Sequence, residues 1–275
     1  MPHKSEIGLR RVVLTLDAAQ ETAGAIEIAA DVARGLEIAL HAVLVEDEDL
    51  ERLAALPFPH YVDLATAERK PLDLGIMRHE IERCAAEARR LLGAIAGRSH
   101  LAWSVEVRQT AISRALAAMK GDELIALNMT ARPAAGPAPM QLRWRGLVMH
   151  LDQPMLLIPD RPPAGGMIAA VHDASPIGER VLETSLHLAR SLGRPLSILM
   201  QGRGAGDRQT RLEKRLREEN SGTVLRVVAG VSPLHLRSFV HSTGTGLLIV
   251  SRDQLSDGAE TESMLGNPPS PLLVL

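Results

Sequence analysis

LIALNMTARPAAGPAPMQLRWRGLVMHLDQPMLLI, residues 124–158, is the stretch of sequence that decides the fold. Short apolar runs at its two ends are typical of buried strands, and a polar loop and an amphipathic segment separate them. In an α/β protein such a unit places its first loop at the carboxyl edge of the sheet, where ligands usually bind. A shorter unit of the same kind occupies residues 247–275. We expect the loop of the first unit to take part in whatever the protein binds.

The segments before residue 124 alternate in the same way. Apolar runs rich in β-branched residues at 10–17 and 38–45 and an alternating run at 103–107 are predicted strands. Helical spacing of apolar residues predicts helices over 20–34, 76–95, 111–120 and about 140–151, with an irregular excursion at 46–75. Alternating strands and helices indicate a parallel sheet covered on both faces, and the right-handed crossover rule favours a doubly wound topology.

A Pro/Gly-rich linker, DRPPAGG at residues 160–166, ends this pattern, and the pattern then starts again. Strands are predicted at 167–172, 195–200, 223–228, 247–250 and 272–275, with helices at 176–192, 207–219 and 232–242. The second part repeats the first at a constant offset, which indicates a tandem duplication with domains at 1–160 and 161–275. The matched pairs include Asp17/Asp173, Glu27/Glu183, Ala33/Ala189, Arg34/Arg190 and Leu40/Leu196.

Composition excludes several classes of function. The chain of 275 residues has a net charge of −2 and only five aromatic side chains, which argues against a nucleic-acid or anionic-membrane binder. The single cysteine, Cys84, excludes internal disulfides and cysteine-rich zinc sites. The polar opening MPHKSEIGLRR does not look like a signal peptide, and no apolar run reaches the ~20 residues of a membrane span. We therefore expect a cytoplasmic protein.

These features together resemble the universal stress protein family. The resemblance is carried by first strands that end in Asp (RRVVLTLD and IAAVHD), an Ala-rich helix, a second strand of the LHAVLV type, and last strands preceded by Pro (QPMLLI and SPLLVL). It implies two tandem doubly wound parallel five-stranded sheets of the adenine-nucleotide alpha-hydrolase type, each in the order 3-2-1-4-5. It also implies that the two last strands pair antiparallel and form an internal pseudo-dimer, which would cover the apolar edge of residues 272–275.

Nucleotide-binding members of this family carry a glycine loop after the fourth strand: Gly, two residues, Gly, nine residues, Gly, then Ser or Thr. Glycines let backbone amides approach phosphates closely. In the first part of this chain the four motif positions fall on Asn128, Ala131, Gln141 and Leu142, so neither glycine nor hydroxyl remains. In the second part the first two positions are Ser251 and Gln254, and the shorter loop leaves the others unassigned. The phosphate cradle is therefore predicted to be lost.

Two interpretations of the cleft stay open. Asp17 and Asp173 match the family position near the nucleoside, but Asp also caps helices. The positions considered for ligand binding are Asp17, Val45, Asn128, Met129, Thr130, Ala131, Gln141, Leu142, Asp173 and Ser251.

The favoured hypothesis is a non-enzymatic regulatory or interaction module without a cofactor, in which ATP or AMP is not favoured. No metal site and no nucleophile–base pair is predicted from spacing. The alternative is a small-molecule or adenine-nucleotide binding protein that uses Asp17, the backbone of 128–130 and the nearby Arg132, Arg143 and Arg145. The partners considered are a small molecule, a second copy of the chain or another protein.

Overall fold

The computed structural model describes most of the chain. The described residues are 8–16, 23–46, 60–62, 68–71, 74–110, 119, 121–129, 144–163, 165–173, 175–201, 206–219, 223–228, 230–255 and 258–275. Residues 1–160 are called the first half below, and residues 161–275 the second half.

One ten-stranded sheet runs through both halves. The first half contributes its five strands in the spatial order β5-β2-β1-β6-β7, and all of these neighbours pair parallel. This is the predicted order 3-2-1-4-5. Nearly every residue of β1, β6 and β7 is buried, as expected of strands covered on both faces. The strands are β1 (Arg11–Leu16), β2 (Ala39–Glu46), β5 (Trp103–Gln109), β6 (Glu123–Met129) and β7 (Met155–Pro159).

The second half repeats the arrangement. Its strands lie in the order β10-β9-β8-β11-β12, again with parallel pairing throughout. The predicted order is therefore confirmed here too. The strands are β8 (Met167–His172), β9 (Leu196–Gln201), β10 (Val224–Val228), β11 (Thr245–Val250) and β12 (Leu272–Val274).

The two halves meet where β12 pairs antiparallel with β7. Leu272, Leu273 and Val274 lie opposite Leu157, Leu156 and Met155. All six side chains are fully buried, so this pair forms the centre of the core rather than an edge. The antiparallel pairing expected from the family resemblance is confirmed, whereas the duplication itself and the domain boundary at residue 160 stay predictions.

Helices cover the two faces of the sheet. On one face α1, α2, α4 and α5 pack over a core that includes Leu14, Leu92 and Ile198; on the other face α3, α6 and α7 pack over a core that includes Ile125, Leu157 and Leu248. The helices are α1 (Ala23–Gly35), α2 (Leu74–Ser99), α3 (Trp144–His150), α4 (Pro176–Leu192), α5 (Gly206–Glu219), α6 (Pro233–Thr243) and α7 (Ala259–Gly266).

Two of these helices begin and end on recognisable signals. The Ser175 hydroxyl accepts a hydrogen bond from Gly178 N at the start of α4, and the Ser232 hydroxyl does the same for His235 N at the start of α6. In both helices a proline follows the capping serine, and a glycine in the left-handed backbone conformation follows the last helical residue. Local sequence alone therefore fixes the bounds of α4 and α6 closely.

Helices α1 and α4 pack against each other across the boundary between the halves. A Cβ on Gly35 would lie only 2.7 Å from Leu188 Cδ2, so a larger residue there would require the leucine side chain to shift. Beside this contact, Asp31 of α1 forms an ion pair with Arg194, whose side chain is 16% exposed. The halves are thus joined through the sheet and through one helix layer.

The predicted excursion at 46–75 contains an additional two-stranded antiparallel sheet, β3 (His60–Val62) with β4 (Arg69–Pro71). The sequence analysis missed this hairpin, as well as α7 and a short 3-10 helix, Arg252–Gln254, in the loop after β11. The predicted helix at 111–120 lies outside the described residues, apart from the buried Met119. No described helix is long and apolar enough to cross a membrane.

Candidate functional site

Half of the predicted binding positions fall on described residues, and these lie at the carboxyl edge of the sheet. Val45, Asn128, Met129, Asp173 and Ser251 are described, all at or just beyond the ends of their strands. The remaining positions, Asp17, Thr130, Ala131, Gln141 and Leu142, lie outside the described residues.

In the first half, the described positions divide between core and edge. Met129 is 3% exposed and packs in the core of the α3/α6/α7 face, and the half-buried Val45 packs against the same core. Asn128 of β6 lies opposite Ile158 of β7 and keeps a partly accessible side chain. Asn128 is therefore the described polar group best placed to meet a ligand in this half.

In the second half, Asp173 is engaged by its own loop. Its Oδ1 accepts a hydrogen bond of 3.0 Å from Ser175 N and one of 2.6 Å from the Ser175 hydroxyl. Burial favours a raised pKa for Asp173, but the bonds from Ser175 outweigh it and hold the pKa below its ordinary value. The cap of α4 is Ser175 itself, so Asp173 does not cap the helix directly but orients the residue that does.

The loop after β11 crosses the crevice where the family cradle would lie. Ser251 is fully buried, and its backbone N–H donates to Gln254 Oε1 at 3.1 Å. Gln254 Nε2 donates to the carbonyl oxygen of Val171 on β8 at 3.2 Å. One glutamine amide therefore bridges β11 to β8, the two strands that flank the crevice.

Arg252 ties the same loop to the rest of the molecule. Its backbone N–H donates to the Leu275 carbonyl at 3.1 Å, and its guanidinium donates to the Gln153 carbonyl in the first half. Burial lowers the pKa of Arg252, and the neighbouring Asp152 opposes that change. The guanidinium of Arg252 is thus bonded to the boundary between the halves.

A polar cluster that the sequence analysis did not identify lies on the first-half sheet. His41 of β2 contacts two residues of β5, with Nδ1 2.7 Å from Ser104 Oγ and Nε2 3.2 Å from Glu106 Oε2. Arg108 holds the same carboxylate with two hydrogen bonds of 2.8 and 3.0 Å. The alternation of WSVEVRQ places Ser104, Glu106 and Arg108 on one face of β5. That alternation was the sequence pattern from which a polar cluster on this strand could have been predicted. The cluster holds one histidine and one carboxylate, and the described residues contain no group of three or more metal-ligating side chains.

This cluster makes stability depend on pH. Burial, followed by the charge of Arg11, lowers the pKa of His41 from its ordinary 6.5 despite the opposing effect of Glu106. The unfolded chain therefore binds a proton at this position before the folded chain does, and stability falls as pH drops below about 6.5. We expect His41→Gln to show a smaller loss of stability between about pH 7.5 and pH 5 than the unmodified chain, measured by urea unfolding.

His79→Gln, on the exposed surface of α2, is the matched control for replacing a histidine by glutamine. Parallel curves for the unmodified chain and His41→Gln would contradict the assignment of the titration to His41.

Comparison with solved structures identifies the fold. A universal stress protein from Archaeoglobus fulgidus DSM 4304 matches with a TM-score of 0.62 and 12% identity, over 95% of this chain and 97% of that one. A candidate universal stress protein from Pseudomonas aeruginosa UCBPP-PA14 matches with a TM-score of 0.56 and 13% identity, over 98% and 94%. The cytoplasmic domain of a prokaryotic cation chloride cotransporter matches with a TM-score of 0.54 and 12% identity, over 97% and 95%.

No family model matches the sequence, and no curated protein does. The structural neighbours include universal stress proteins, the family that the sequence resembles, and at this level of identity the likeness establishes the fold.

Proposed function

We propose that this chain is a non-enzymatic universal stress protein that acts as a regulatory or interaction module and has lost the ATP-binding loop of its family. The observation that carries the proposal is the Gln254 bridge. The Gln254 side-chain amide accepts a hydrogen bond from the Ser251 backbone N–H and donates one to the Val171 carbonyl oxygen, at the mouth of the second crevice. A phosphate cradle needs open backbone amides at this place, and here the Ser251 amide already has a partner.

Two further features support the loss of nucleotide binding. Asp173, at the family position near the nucleoside, already accepts two hydrogen bonds from Ser175. In the first half, the residues at the cradle positions are Asn128, Ala131, Gln141 and Leu142, none of which is glycine or carries a hydroxyl. Neither half therefore retains the chemistry that the resemblance associates with phosphate.

Isothermal titration with ATP, ADP and AMP, each with and without Mg²⁺, tests the proposal on the full chain. We expect no binding in the micromolar range. A micromolar dissociation constant needs a binding free energy of roughly 8 kcal/mol, and the phosphate contacts that would contribute to it are missing. Micromolar binding of any of the three nucleotides would overturn the proposal. Asp17→Ala and Asp173→Ala would then assign the site to one half.

One observation favours the alternative, a binding protein that uses the first cleft. Asn128 presents a partly accessible polar side chain at the end of β6, whereas its counterpart Ser251 is fully buried under the Gln254 bridge. If the first cleft binds a nucleotide, Asn128→Leu should weaken binding and Ser251→Ala should leave it unchanged. Equal effects of the two variants would exclude a site confined to the first half.

A further inference from the structure

The second half contains an apolar cavity that the proposed function does not use. It has a volume of about 550 Å³, which lies within the usual ~300–1,000 Å³ range for small-molecule sites. The cavity lies between strands β9 and β10 and helix α6. Its walls include Leu199, Val228, Gly230, Val231, Leu236 and Phe239.

This cavity is separate from the crevice at the strand ends. Neither Asp173 nor Ser251, the second-half positions considered for nucleotide binding, belongs to its walls. The inner wall consists of Leu199 and Leu236, which are 4% and 2% exposed. The mouth is formed by the exposed Gly230 and His235, so the apolar interior is open to solvent at one side.

The walls favour a flat apolar body. Phe239 is one of only two phenylalanines in the chain, and it lies half-buried in the wall. An aromatic ring in a wall of aliphatic side chains favours a planar partner through offset or edge-to-face contacts. The described polar side chains that line the cavity are Ser232, whose hydroxyl caps α6, and His235.

The charge beside the cavity is positive. The guanidinium carbon of Arg226 lies 5.6 Å from the centroid of the Phe239 ring, and none of the described residues that line the cavity is acidic. In the first half, the residue at the corresponding register position is Glu106, because Arg226 pairs with Leu199 as Glu106 pairs with Val43. In the first half this carboxylate is paired with Arg108, so the two halves differ in charge at this register position, and the second half carries the positive side chain.

We propose that this cavity is a binding site for a small amphipathic anion, with a planar apolar body against Phe239 and a single acidic group toward Arg226. The proposal is independent of whether either crevice binds a nucleotide. The proposal names the chemical class of the ligand by its shape and its charge. A pair of probes that share the aromatic body and differ by one sulfonate group tests both parts.

The probes are 1-anilinonaphthalene-8-sulfonate and its uncharged counterpart N-phenyl-1-naphthylamine, titrated against the full chain by fluorescence. We expect one saturable site for each probe. Gly230→Leu should weaken or abolish binding of both probes, because Gly230 lines the mouth of the cavity and a Cβ there has no atom within 4 Å, so leucine narrows the mouth without displacing the fold. Val231→Trp is a second cavity-filling variant with the same expected loss.

Arg226→Gln tests the acidic group. It should weaken the sulfonate probe roughly three- to fivefold, as expected for a solvent-exposed charge pair, and leave the uncharged probe unchanged. Gly97→Leu on α2, where a Cβ also has no atom within 4 Å, is the matched control and should bind both probes normally. Circular dichroism of every variant checks that the fold is retained.

Three outcomes would overturn the proposal. The first is the absence of saturable binding, or wild-type affinity in Gly230→Leu and Val231→Trp. The second is an equal effect of Arg226→Gln on the two probes, which removes the anion from the proposal. The third is a dimer in sedimentation that Gly230→Leu dissociates, since the occupant would then be a second copy of the chain.

Discussion

Gly246→Ala is expected to destabilise the protein by about 3 kcal/mol or more, because the added methyl group meets backbone rather than a movable side chain. A Cβ at Gly246 would lie 1.6 Å from the carbonyl oxygen of Gly165 and 2.7 Å from its carbonyl carbon. Gly246 is buried in β11 at an irregularity in its pairing with β8. Relief requires the turn before β8 to move away, which breaks the register of the strand that follows it.

The neighbouring residues leave little room for such a movement. Gly166 has a φ of +90°, and a Cβ there would lie 2.5 Å from the Gly244 carbonyl oxygen, so two segments cross with backbone against backbone. The measurement is urea unfolding followed by circular dichroism. Gly97→Ala, in α2 with open space around it, should be neutral or stabilising by about 0.5–1 kcal/mol. An unchanged unfolding midpoint for Gly246→Ala would show that the crossing is not formed.

The second large effect is expected at the central pair of strands. Leu273 of β12 and Leu156 of β7 are directly opposed and fully buried. Truncating either to Ala removes packed atoms and leaves a cavity in a part of the sheet covered on both faces, so each should cost about 2–5 kcal/mol of unfolding free energy. Ile76→Ala is the control, since Ile76 is 70% exposed and should change stability by less than about 0.5 kcal/mol.

A double-mutant cycle then tests the contact itself. Leu156→Ala and Leu273→Ala should be non-additive by at least about 0.5 kcal/mol, because the side chains share one cavity. Leu14 of β1 belongs to the same core but lies three strands from β12, about 14 Å away by strand spacing. Leu14→Ala and Leu273→Ala should therefore add. Additivity in the first pair would contradict antiparallel pairing of the halves.

The alternation of strands and helices could be predicted from sequence because it depends on patterns that extend over many residues, whereas the spatial order of the strands was implied by the family resemblance. The apolar period predicted α2 within a few residues of its observed bounds, and the helices predicted at 176–192 and 232–242 match α4 and α6 to within one residue. The hairpin of β3 and β4 was missed because three-residue strands are too short to show a period. Helix α7 was missed because only Met264 and Leu265 stand out as large apolar residues in it.

The site was less predictable than the fold. Spacing alone indicated that Ser251 and Gln254 occupy cradle positions, but not that the Gln254 side chain turns back to bridge β11 and β8. The cluster around His41 depends on contacts between β2 and β5, which lie far apart in sequence. The cavity beside Phe239 depends on the distance between a helix and a sheet, which no residue pattern encodes.

The position of β12 at the middle of the sheet has a consequence for synthesis on the ribosome. Strand β7 is complete at Pro159, but its partner begins only at Leu272, about 110 residues later. At ~5–20 residues per second, the nascent first half waits roughly 5–20 s with an apolar strand edge unpaired. The strand that joins the two halves, β12, is thus synthesised long after the partner strand it pairs with. The chain is therefore most exposed to aggregation during its own translation, and a pause or truncation late in the message would be more damaging than one near residue 160.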